Sequence, residues 1–214
     1  MRGILDAVIG TSTTIEGAMS ALDQAIEDVV RGIEEGKRRA AANAAETFVD
    51  GETFLTHDYS STVLDAVETA AAASELTAYV TEARPRYLGR KTARELAPFE
   101  TVDTHLITDG AAGHFLPEVD RVVIGMDCIV DDTLYNRIGT YPLAATANHA
   151  GIPVTVVGSS TKLIDEFRFE NEERSITEVM LEPVQHITVE NPAYDATPVD
   201  LISQVVTDEG IIEP

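Results

Sequence analysis

The most extended pattern along the chain is a helical one. From residues 15 to 48, apolar side chains recur at spacings of three and four within a segment rich in Ala, Glu and Arg. The apolar positions are Ala18, Leu22, Ile26, Val29, Val30 and Ile33. Thr13 or Thr14 supplies a start signal, and Asp50 and Gly51 turn the chain beyond the other end. We therefore predict one long amphipathic helix.

Beyond residue 51, short apolar runs of strand type alternate with segments of helical composition. Strands are predicted at 53–57, 75–83, 101–109, 120–127, 152–160 and 184–191. Helices are predicted at 61–73, 89–97, 111–117, 139–150 and 198–206, and a charged, solvated loop at 165–175. Nearly continuous apolar strands that alternate with helices are typical of a parallel sheet covered on both faces. The pattern therefore predicts an α/β fold with a doubly wound parallel sheet.

Composition adds a strongly acidic surface to this picture. The 214 residues include 37 acidic and 15 basic ones, for a formal net charge of -22. Such a surface repels the phosphates of nucleic acids and of anionic lipids, so we expect no direct nucleic-acid partner. No apolar run approaches the roughly 18 residues of a membrane helix, and the start of the chain lacks a secretory signal. We expect a cytoplasmic protein with no membrane partner.

A basic cluster follows the second predicted strand. The stretch "TEARPRYLGRKTAREL" contains five basic residues within eleven positions and opens a predicted helix. They are Arg84, Arg86, Arg90, Lys91 and Arg94. Arginine forks match phosphate oxygens, and a helix N-terminus adds a positive end, so the cluster indicates an anion site. The alternative is a helix whose basic groups pair with surface acids.

Asp127 ends the predicted strand in "DRVVIGMDCIVDD". A carboxylate beside apolar neighbours at the end of a strand can have its pKa raised by desolvation and act as a general acid or base. A turn or helix-capping aspartate is the alternative. Cys128 is interpreted as a small packing residue, because adjacent residues of a strand face opposite sides.

Asn136, Arg137, Gly139 and Thr140 precede a predicted alanine-rich helix. Gly139 and Thr140 suit a tight turn with backbone N–H groups free at the helix start, which is a second candidate seat for a phosphate. A simple N-cap is the alternative. A glycine-rich dinucleotide loop, a Walker loop and metal-ligand spacing among the five histidines are absent from the sequence, so neither a cofactor nor a metal is expected.

Five segments together resemble a known family, in order and with sensible spacing. They are "TEARP", "GRKTAREL", "VIGMDCIV", "NRIGTYPLA" and "NPAYDATP" with "TDEGIIEP". They resemble the alpha, beta and delta subunits of eukaryotic initiation factor 2B, whose family also holds methylthioribose-1-phosphate isomerase and archaeal ribose-1,5-bisphosphate isomerase. The resemblance implies a Rossmann-like domain over 51–214, an N-terminal helical segment over 1–50 that is short for the family, and assembly into a homo-oligomer.

The resemblance also assigns roles to single residues. Asp127 matches the aspartate that shuttles protons in the isomerases, and Asn136 and Arg137 match an Asn-Lys pair that contacts the substrate. Arg84 and Arg90 are the further anion contacts that we expect. The ligand implied is a phosphorylated small molecule, either a sugar phosphate or a nucleotide.

Asp58 is the main departure from the isomerases. It follows Thr-His directly, where they keep a reactive cysteine, and Leu88 stands where they present a glutamine. An aspartate brings a negative charge towards an anionic substrate. The stretch "THDYS" also resembles the Thr-His-Ala-Tyr-Ser of the initiation factor's alpha subunit. From its residue type and position alone, Asp58 is expected to be the N-cap of the helix that begins near Ser60.

These observations favour an initiation factor 2B-like protein that is not an enzyme and binds its ligand in a regulatory or translation-related assembly. The alternative is an aldose-ketose isomerase of the ribose-1,5-bisphosphate or methylthioribose-1-phosphate type, in which Asp127 and an unusual Asp58 exchange protons. An oligomer subunit with a vestigial pocket is a third, purely structural option.

We predict that the protein is more stable in molar salt than in dilute salt. Its acidic chain has only three lysines, Lys37, Lys91 and Lys162, a composition expected of proteins kept soluble in very high salt. At 1 M salt the Debye length falls to about 3 Å, so repulsion among the carboxylates is screened. Thermal unfolding in both buffers measures the difference. A higher melting temperature in dilute salt would count against a salt-loving source.

Overall fold

The computed structural model describes residues 14–165, 168–182 and 184–214. The helices are α1 (Ile15–Ala45), α2 (Ser61–Ala71), α3 (Gly89–Leu96), the single turn α4 (Ala112–Phe115) and α5 (Thr140–Ala150). The strands are β1 (Thr53–Thr56), β2 (Leu76–Thr81), β3 (Val102–Ile107), β4 (Arg121–Gly125), β5 (Cys128–Val130), β6 (Thr133–Arg137), β7 (Val154–Val157), β8 (Leu163–Ile164), β9 (Tyr194–Pro198), β10 (Gln204–Thr207) and β11 (Gly210–Ile212). Within the described ranges, no helix has both the length and the apolar character needed to cross a bilayer.

Seven strands form the main sheet in the order β11-β10-β7-β4-β1-β2-β3. All neighbours pair in parallel except β10 and β11, which form an antiparallel hairpin. The order reverses next to β1, so the chain winds outwards in both directions, as in a Rossmann-like fold. The predicted α/β class and the long N-terminal helix are confirmed.

The core lies in two layers, one on each face of this sheet. Side chains alternate along each strand, so Phe54 of β1 packs beneath α1, α2 and α3, while the adjacent Leu55 packs against α4 and α5. In β4, Val123 faces the first layer, whereas Val122 and Ile124 face the second. Both faces of the central strands are therefore buried, which explains their nearly continuous apolar sequence.

The long helix is confirmed, with its end at Ala45 rather than near residue 48. Thr14 is the N-cap and accepts a hydrogen bond from the N–H of Gly17 at 3.1 Å; Thr13 lies outside the described residues. Only the C-terminal part of α1 is buried, and it packs on α2 and β10. Within the described chain, the first half of α1 extends from the domain with its side chains largely exposed.

A second, four-stranded sheet in the order β8-β5-β6-β9 was not predicted. Strands β5 and β6 form an antiparallel hairpin around Asp131 and Asp132, and Asp131 has a positive φ of 49°. Two turn-forming residues between short strand-like runs are a hairpin signal, so the sequence does contain a marker for this element. The hairpin carries Asn136 and Arg137 to the edge of the main sheet.

Two predicted elements near the C-terminus are wrong. Residues 184–191 form neither helix nor strand; Val184 and Ile187 are exposed, and the strand occurs later, as β9, where it pairs with β6. The helix predicted at 198–206 is a short 3-10 turn, Val199–Leu201, followed by β10. Pairing of β10 with β7 overrides local propensity there, because it buries Val205 and Val206 in the two core layers.

A buried ion pair joins Glu52, the residue before β1, to Arg121, the first residue of β4. The Arg121 guanidinium contacts the Glu52 carboxylate through two nitrogens, one of them at 3.3 Å, and donates to Thr47 Oγ1 at 2.9 Å. Its carbon lies 4.3 Å from the ring centroid of Phe48. The two charged side chains are only 8% and 5% exposed, so each charge is neutralised mainly by the other.

We expect Glu52→Ala to lower the free energy of unfolding by about 3–5 kcal/mol, because it leaves the Arg121 charge buried without a counter-charge. Glu95→Ala is the matched control: it removes the exposed partner of Lys91 and should cost about 0–1 kcal/mol. Urea unfolding of the three chains measures both effects. Equal losses in the two variants would contradict the role given to the buried pair.

Candidate functional site

A cleft of about 150 Å³ lies at the carboxyl ends of β1 and β4, next to the start of α2. Ligands of doubly wound sheets bind at this edge, where the strand order reverses. The charged and polar residues that line the cleft include Asp58, Ser60, Asp127, Asn136, Arg137 and Lys162. Four of the six residues predicted from the sequence are therefore brought together here, from three separate parts of the chain.

Arg137 lies between two carboxylates in this cleft. Its Nε is 3.6 Å from Asp58 Oδ2 and 3.7 Å from Asp127 Oδ2. The guanidinium carbon also lies 4.8 Å from the ring centroid of Tyr194. The buried Nη1 has no hydrogen-bond partner among the described residues, which leaves a donor for a ligand oxygen.

Asp58 is buried in the turn between β1 and α2. Its backbone is in the left-handed region with φ 63°, which aspartate tolerates better than most residues, and its carbonyl accepts a hydrogen bond from Thr92 Oγ1 at 2.7 Å. Burial raises the pKa of its carboxyl, and the charge of Asp127 adds to this, while His57 and Arg137 act in the opposite direction. Burial thus favours the protonated form of the Asp58 carboxyl.

The expectation that Asp58 caps α2 is wrong. Ser60 is the N-cap, with an extended backbone, and its Oγ accepts from the N–H of Val63 at 3.4 Å. Because serine has the same capping chemistry and lies two residues later, the side chain of Asp58 is left to point towards Arg137. The helix start itself, with Ser60, Ser61 and Thr62, lines the cleft.

Asp127 connects β4 to β5 and lies on the more accessible side of Arg137. Its carboxylate is 37% exposed, and its N–H donates to the carbonyl of Tyr135 at 3.1 Å. Cys128 is the first residue of β5, where it is buried. Burial and the negative charge of Asp127 raise the pKa of its thiol, so the protonated form is favoured, in keeping with a packing role.

His57 connects the end of β1 to the loop that follows Arg137. Its Nε2 donates to the carbonyl of Ile138 at 2.8 Å, and its Nδ1 lies 2.6 Å from Thr81 Oγ1. Gly139 packs directly on the ring: a Cβ at this position would lie 2.6 Å from Nε2, and its φ of 104° is itself a glycine conformation. The histidine and the glycine together determine where β6 ends relative to β1.

The helix start at Gly139 and Thr140, predicted to offer free N–H groups, is already occupied by a carboxylate. Asp195 of β9 accepts from the N–H of Gly139 at 2.7 Å and from that of Tyr141 at 3.0 Å. Asn136 is buried and donates to Thr140 Oγ1 at 3.0 Å. Asn136 therefore orders the turn beside Arg137 while also lining the cleft.

The basic cluster divides into two groups in the structure. Arg84 and Arg86 line a second, smaller cavity of about 20 Å³, together with Arg174, Asp58 and Arg137. This cavity also includes Leu88, at the position where the isomerases present a glutamine.

Arg90 lies outside both cavities, and its guanidinium donates to Glu82 Oε2 at 2.6 Å while stacking on the Tyr87 ring at 3.9 Å. Arg90 therefore follows the alternative interpretation of the basic cluster, in which a basic group pairs with a surface acid. Its assignment as an anion contact has no support from this geometry and remains a prediction.

Sequence reasoning missed Lys162 as a site residue. It ends a 3-10 turn after β7, and its Nζ donates to the carbonyl of Met126 at 2.6 Å within the cleft. Burial lowers the pKa of its ammonium group, although the charge of Asp127 partly opposes this. The one available signal was its rarity, as one of only three lysines in an acidic chain.

Fold and cleft define the chain as a Rossmann-like α/β protein with a charged site at the carboxyl edge of its sheet. The profile of the Initiation factor 2 subunit family matches residues 2–214, and the chain therefore belongs to this family. The resemblance seen in its motifs is confirmed.

Several relatives in this family are named as enzymes. The chain is 32% identical over 232 residues to the ribose 1,5-bisphosphate isomerase of Haloterrigena turkmenica, covering 100% of this chain and 70% of that protein. It is 33% identical over 235 residues to the methylthioribose-1-phosphate isomerase of Dehalococcoides mccartyi, covering 97% and 69%. It spans 58% to 70% of the length of the first three ribose 1,5-bisphosphate isomerases that it matches.

Solved structures show the same fold. The translation initiation factor eIF-2B from Pyrococcus horikoshii superimposes with a TM-score of 0.81 at 29% identity, covering 98% of this chain and 74% of that chain. Similarity of fold thus extends to relatives named as translation factors as well as to those named as isomerases.

We expect the stability of Asp58→Asn, relative to the native chain, to increase as the pH rises through the pKa of Asp58. That pKa lies above the ordinary value of 3.8 because of burial, so between the two values the folded state binds more protons than the unfolded state. The contribution of this carboxyl to stability therefore falls with rising pH, whereas an amide does not titrate.

Urea unfolding of both chains at several pH values measures this difference. Asp127→Asn is the comparison, because it also removes a carboxylate from Arg137 but at a more exposed position. A stability of Asp58→Asn relative to the native chain that stays constant, or falls, with rising pH would contradict the assignment.

Proposed function

We propose that the protein binds a phosphorylated sugar in the Arg137 cleft and isomerises an aldose 1-phosphate to a ketose 1-phosphate. The observation that carries the proposal is the placement of Asp58 and Asp127 on either side of one guanidinium. The names of several relatives support this activity better than the non-catalytic role expected from Asp58 alone. Because the chain spans only part of those relatives, the activity is proposed from this site itself.

The reaction requires two groups that exchange protons. When the ring of an aldose 1-phosphate opens, the bond between C1 and the ring oxygen breaks and that oxygen takes up a proton. One proton then moves from C2 to C1, and the C2 hydroxyl loses its proton as C2 becomes a carbonyl. Two protons are gained and two are lost, so no external oxidant or reductant is needed. A pair of carboxyl groups in different environments can supply both functions.

The environments of the two carboxyl groups suggest how the work is divided. Burial raises the pKa of Asp58, which suits it to hold a proton and donate it to the ring oxygen. Asp127 is more exposed and acts as the base that removes the proton from C2. Arg137 lies between them, where its charge stabilises the negative oxygen that develops at C2 in the transition state.

Positive groups on both sides of the carboxylates support a ligand with two phosphates. One group comprises the start of α2 and Lys162, which line the main cleft. The other comprises Arg84, Arg86 and Arg174, which line the smaller cavity. Since Asp58 and Arg137 line both cavities, a sugar held over them has positive groups on two sides, which favours a bisphosphate such as ribose 1,5-bisphosphate over a monophosphate.

A second candidate is binding without turnover. Its support is the carboxylate of Asp58 at the position where the isomerases have a cysteine, because that carboxylate adds negative charge close to an anionic ligand. In this case Arg84, Asn136 and Arg137 bind the ligand, and a larger assembly responds to whether the ligand is bound.

We expect the purified protein in molar salt to convert ribose 1,5-bisphosphate to the ketulose. Asp58→Asn and Asp127→Asn should each lower kcat by about 10²–10⁴-fold, the range by which general acid or base catalysis accelerates a reaction. Asp28→Asn, an exposed acid of α1, is the matched control and should leave kcat unchanged. Asp58→Cys should retain activity, because a thiol can also exchange protons near neutrality.

Ketulose formation and thermal shift are followed with ribose 1,5-bisphosphate, methylthioribose 1-phosphate and AMP. Stabilisation by a sugar phosphate without turnover would support the second candidate and overturn the first. The absence of any stabilisation by these three compounds would overturn both.

A further inference from the structure

Lys162 reaches the cleft from a short turn rather than from a helix or a long strand. The 3-10 turn Ser160–Lys162 connects β7 of the main sheet to β8 of the small sheet. At its end, the Lys162 ammonium donates to the carbonyl of Met126 at 2.6 Å and lines the cleft. A lysine stem is long and flexible, so the location of its charge depends on how firmly the turn is held.

The carboxylate of Asp208 holds this turn from the neighbouring hairpin. Asp208 follows β10, and its Oδ1 accepts a hydrogen bond from the N–H of Ser160 at 2.6 Å, while its Oδ2 accepts from Ser160 Oγ at 3.2 Å. The side chain is only 6% exposed. Burial by itself would raise the pKa of this carboxyl, but the hydrogen bonds that it accepts outweigh burial and lower the pKa. The charged form of Asp208 is therefore bound firmly to the turn.

The C-terminal half of α1 also packs on this turn. A Cβ on Gly36 would lie 2.6 Å from Ser159 Oγ and 3.4 Å from Asp208 Oδ2, so the backbone of the helix approaches the turn closely. Ser159 Oγ accepts from the N–H of Thr161 at 3.4 Å and from its hydroxyl at 3.0 Å. By contrast, a Cβ on Gly32 would meet no atom of the described residues within 4 Å. Close packing therefore requires glycine at position 36 but, within the described chain, not at position 32.

We propose that Asp208 is a positioning residue, which holds Lys162 in the cleft through the Ser160–Lys162 turn. Gly36 and Ser159 support it by packing the turn against α1. None of these three residues lines the cleft, and none takes part in the proposed proton transfers. The consequence for binding rests on the proposed function: an ammonium fixed beside the start of α2 raises the affinity of the cleft for a phosphate.

Two features of the cleft make the position of Lys162 important for binding. An ammonium has three donors, and the Met126 carbonyl takes one, which leaves donors for the oxygens of a phosphate. The cleft also includes Ser60, Ser61 and Thr62 at the start of α2, where backbone N–H groups favour an anion. A lysine held beforehand beside this helix start loses less rotamer freedom when the ligand binds, so the affinity is higher.

The pH dependence of lysine acetylation tests the position of Lys162 without relying on a ligand or on activity. The chain has only three lysines, so limited acetylation with acetic anhydride, followed by peptide mass spectrometry, gives a midpoint pH for each. Burial lowers the pKa of Lys162. In Asp208→Ala we expect its midpoint to rise towards the ordinary value of 10.5, because the released side chain is better hydrated, while the midpoint of exposed Lys91 stays unchanged.

Three further variants separate positioning from a general loss of stability. Asp208→Asn keeps a hydrogen-bond acceptor for the turn and should retain the native midpoint of Lys162. Gly36→Ala should raise that midpoint, because its Cβ displaces Ser159 Oγ, whereas Gly32→Ala, in the same helix, should leave it unchanged. An unchanged Lys162 midpoint in Asp208→Ala, or equal shifts in Gly36→Ala and Gly32→Ala, would overturn the positioning role.

Steady-state kinetics with ribose 1,5-bisphosphate test the consequence for binding. Loss of a charged hydrogen bond to phosphate should raise KM by about 10–100-fold in Lys162→Met. Asp208→Ala should raise KM by at most the same factor with kcat unchanged, since the reacting groups Asp58 and Asp127 are untouched. A native KM in Asp208→Ala, or a lower kcat alone, would overturn the effect on affinity.

The two sets of measurements fail independently. If the native chain binds ribose 1,5-bisphosphate without turnover, Kd takes the place of KM in the same comparison. If it neither converts nor binds this compound, the proposed function is overturned, and with it the effect on affinity. The acetylation midpoints still decide whether Asp208 positions Lys162.

Discussion

The guanidinium of Arg137 holds together the charges on which the cleft depends. It reaches one carboxylate that follows β1 and another that follows β4, and it belongs itself to the small sheet. Asp127 raises the pKa of buried Asp58, and Arg137 lowers it, so the guanidinium limits the repulsion between two acids in one cleft. The docking of the small sheet on the main one is therefore a condition for the electrostatics of the site. His57 contributes by bonding to the loop that follows Arg137.

Charge is unevenly distributed in this protein. The chain carries a net charge of -22, yet Arg84, Arg86, Arg137, Arg174 and Lys162 line two adjoining cavities. These basic groups outnumber the carboxylates Asp58 and Asp127 in the two cavities, which favours a small anion there, whereas the surrounding acids repel large polyanions. A small phosphorylated molecule meets less of that outer field than a nucleic acid does. The acidic composition, which argues against a nucleic-acid partner, is therefore consistent with a cleft for a small anion.

Periodicity alone predicted most of the main sheet, because its strands are buried on both faces and their apolar runs are unbroken. It failed at β9 and β10, where pairing with strands distant in sequence decides the structure. Within the site, family motifs located Asp127 and Arg137, but no local signal gave the orientation of Asp58, which depends on a left-handed backbone and on a serine two residues later. Lys162 was missed because a single residue in a short turn forms no pattern.

Asp195 makes the two helix starts beside Arg137 electrostatically different. Two helices begin close to Arg137, and each start attracts anions. The start of α5 is filled from within by a carboxylate on β9, whereas the start of α2 opens to the cleft. An incoming anion therefore encounters one vacant positive end and one that is already neutralised. By supplying its own counter-ion at the start of α5, the fold leaves the start of α2 as the helix end that favours an anion in the cleft.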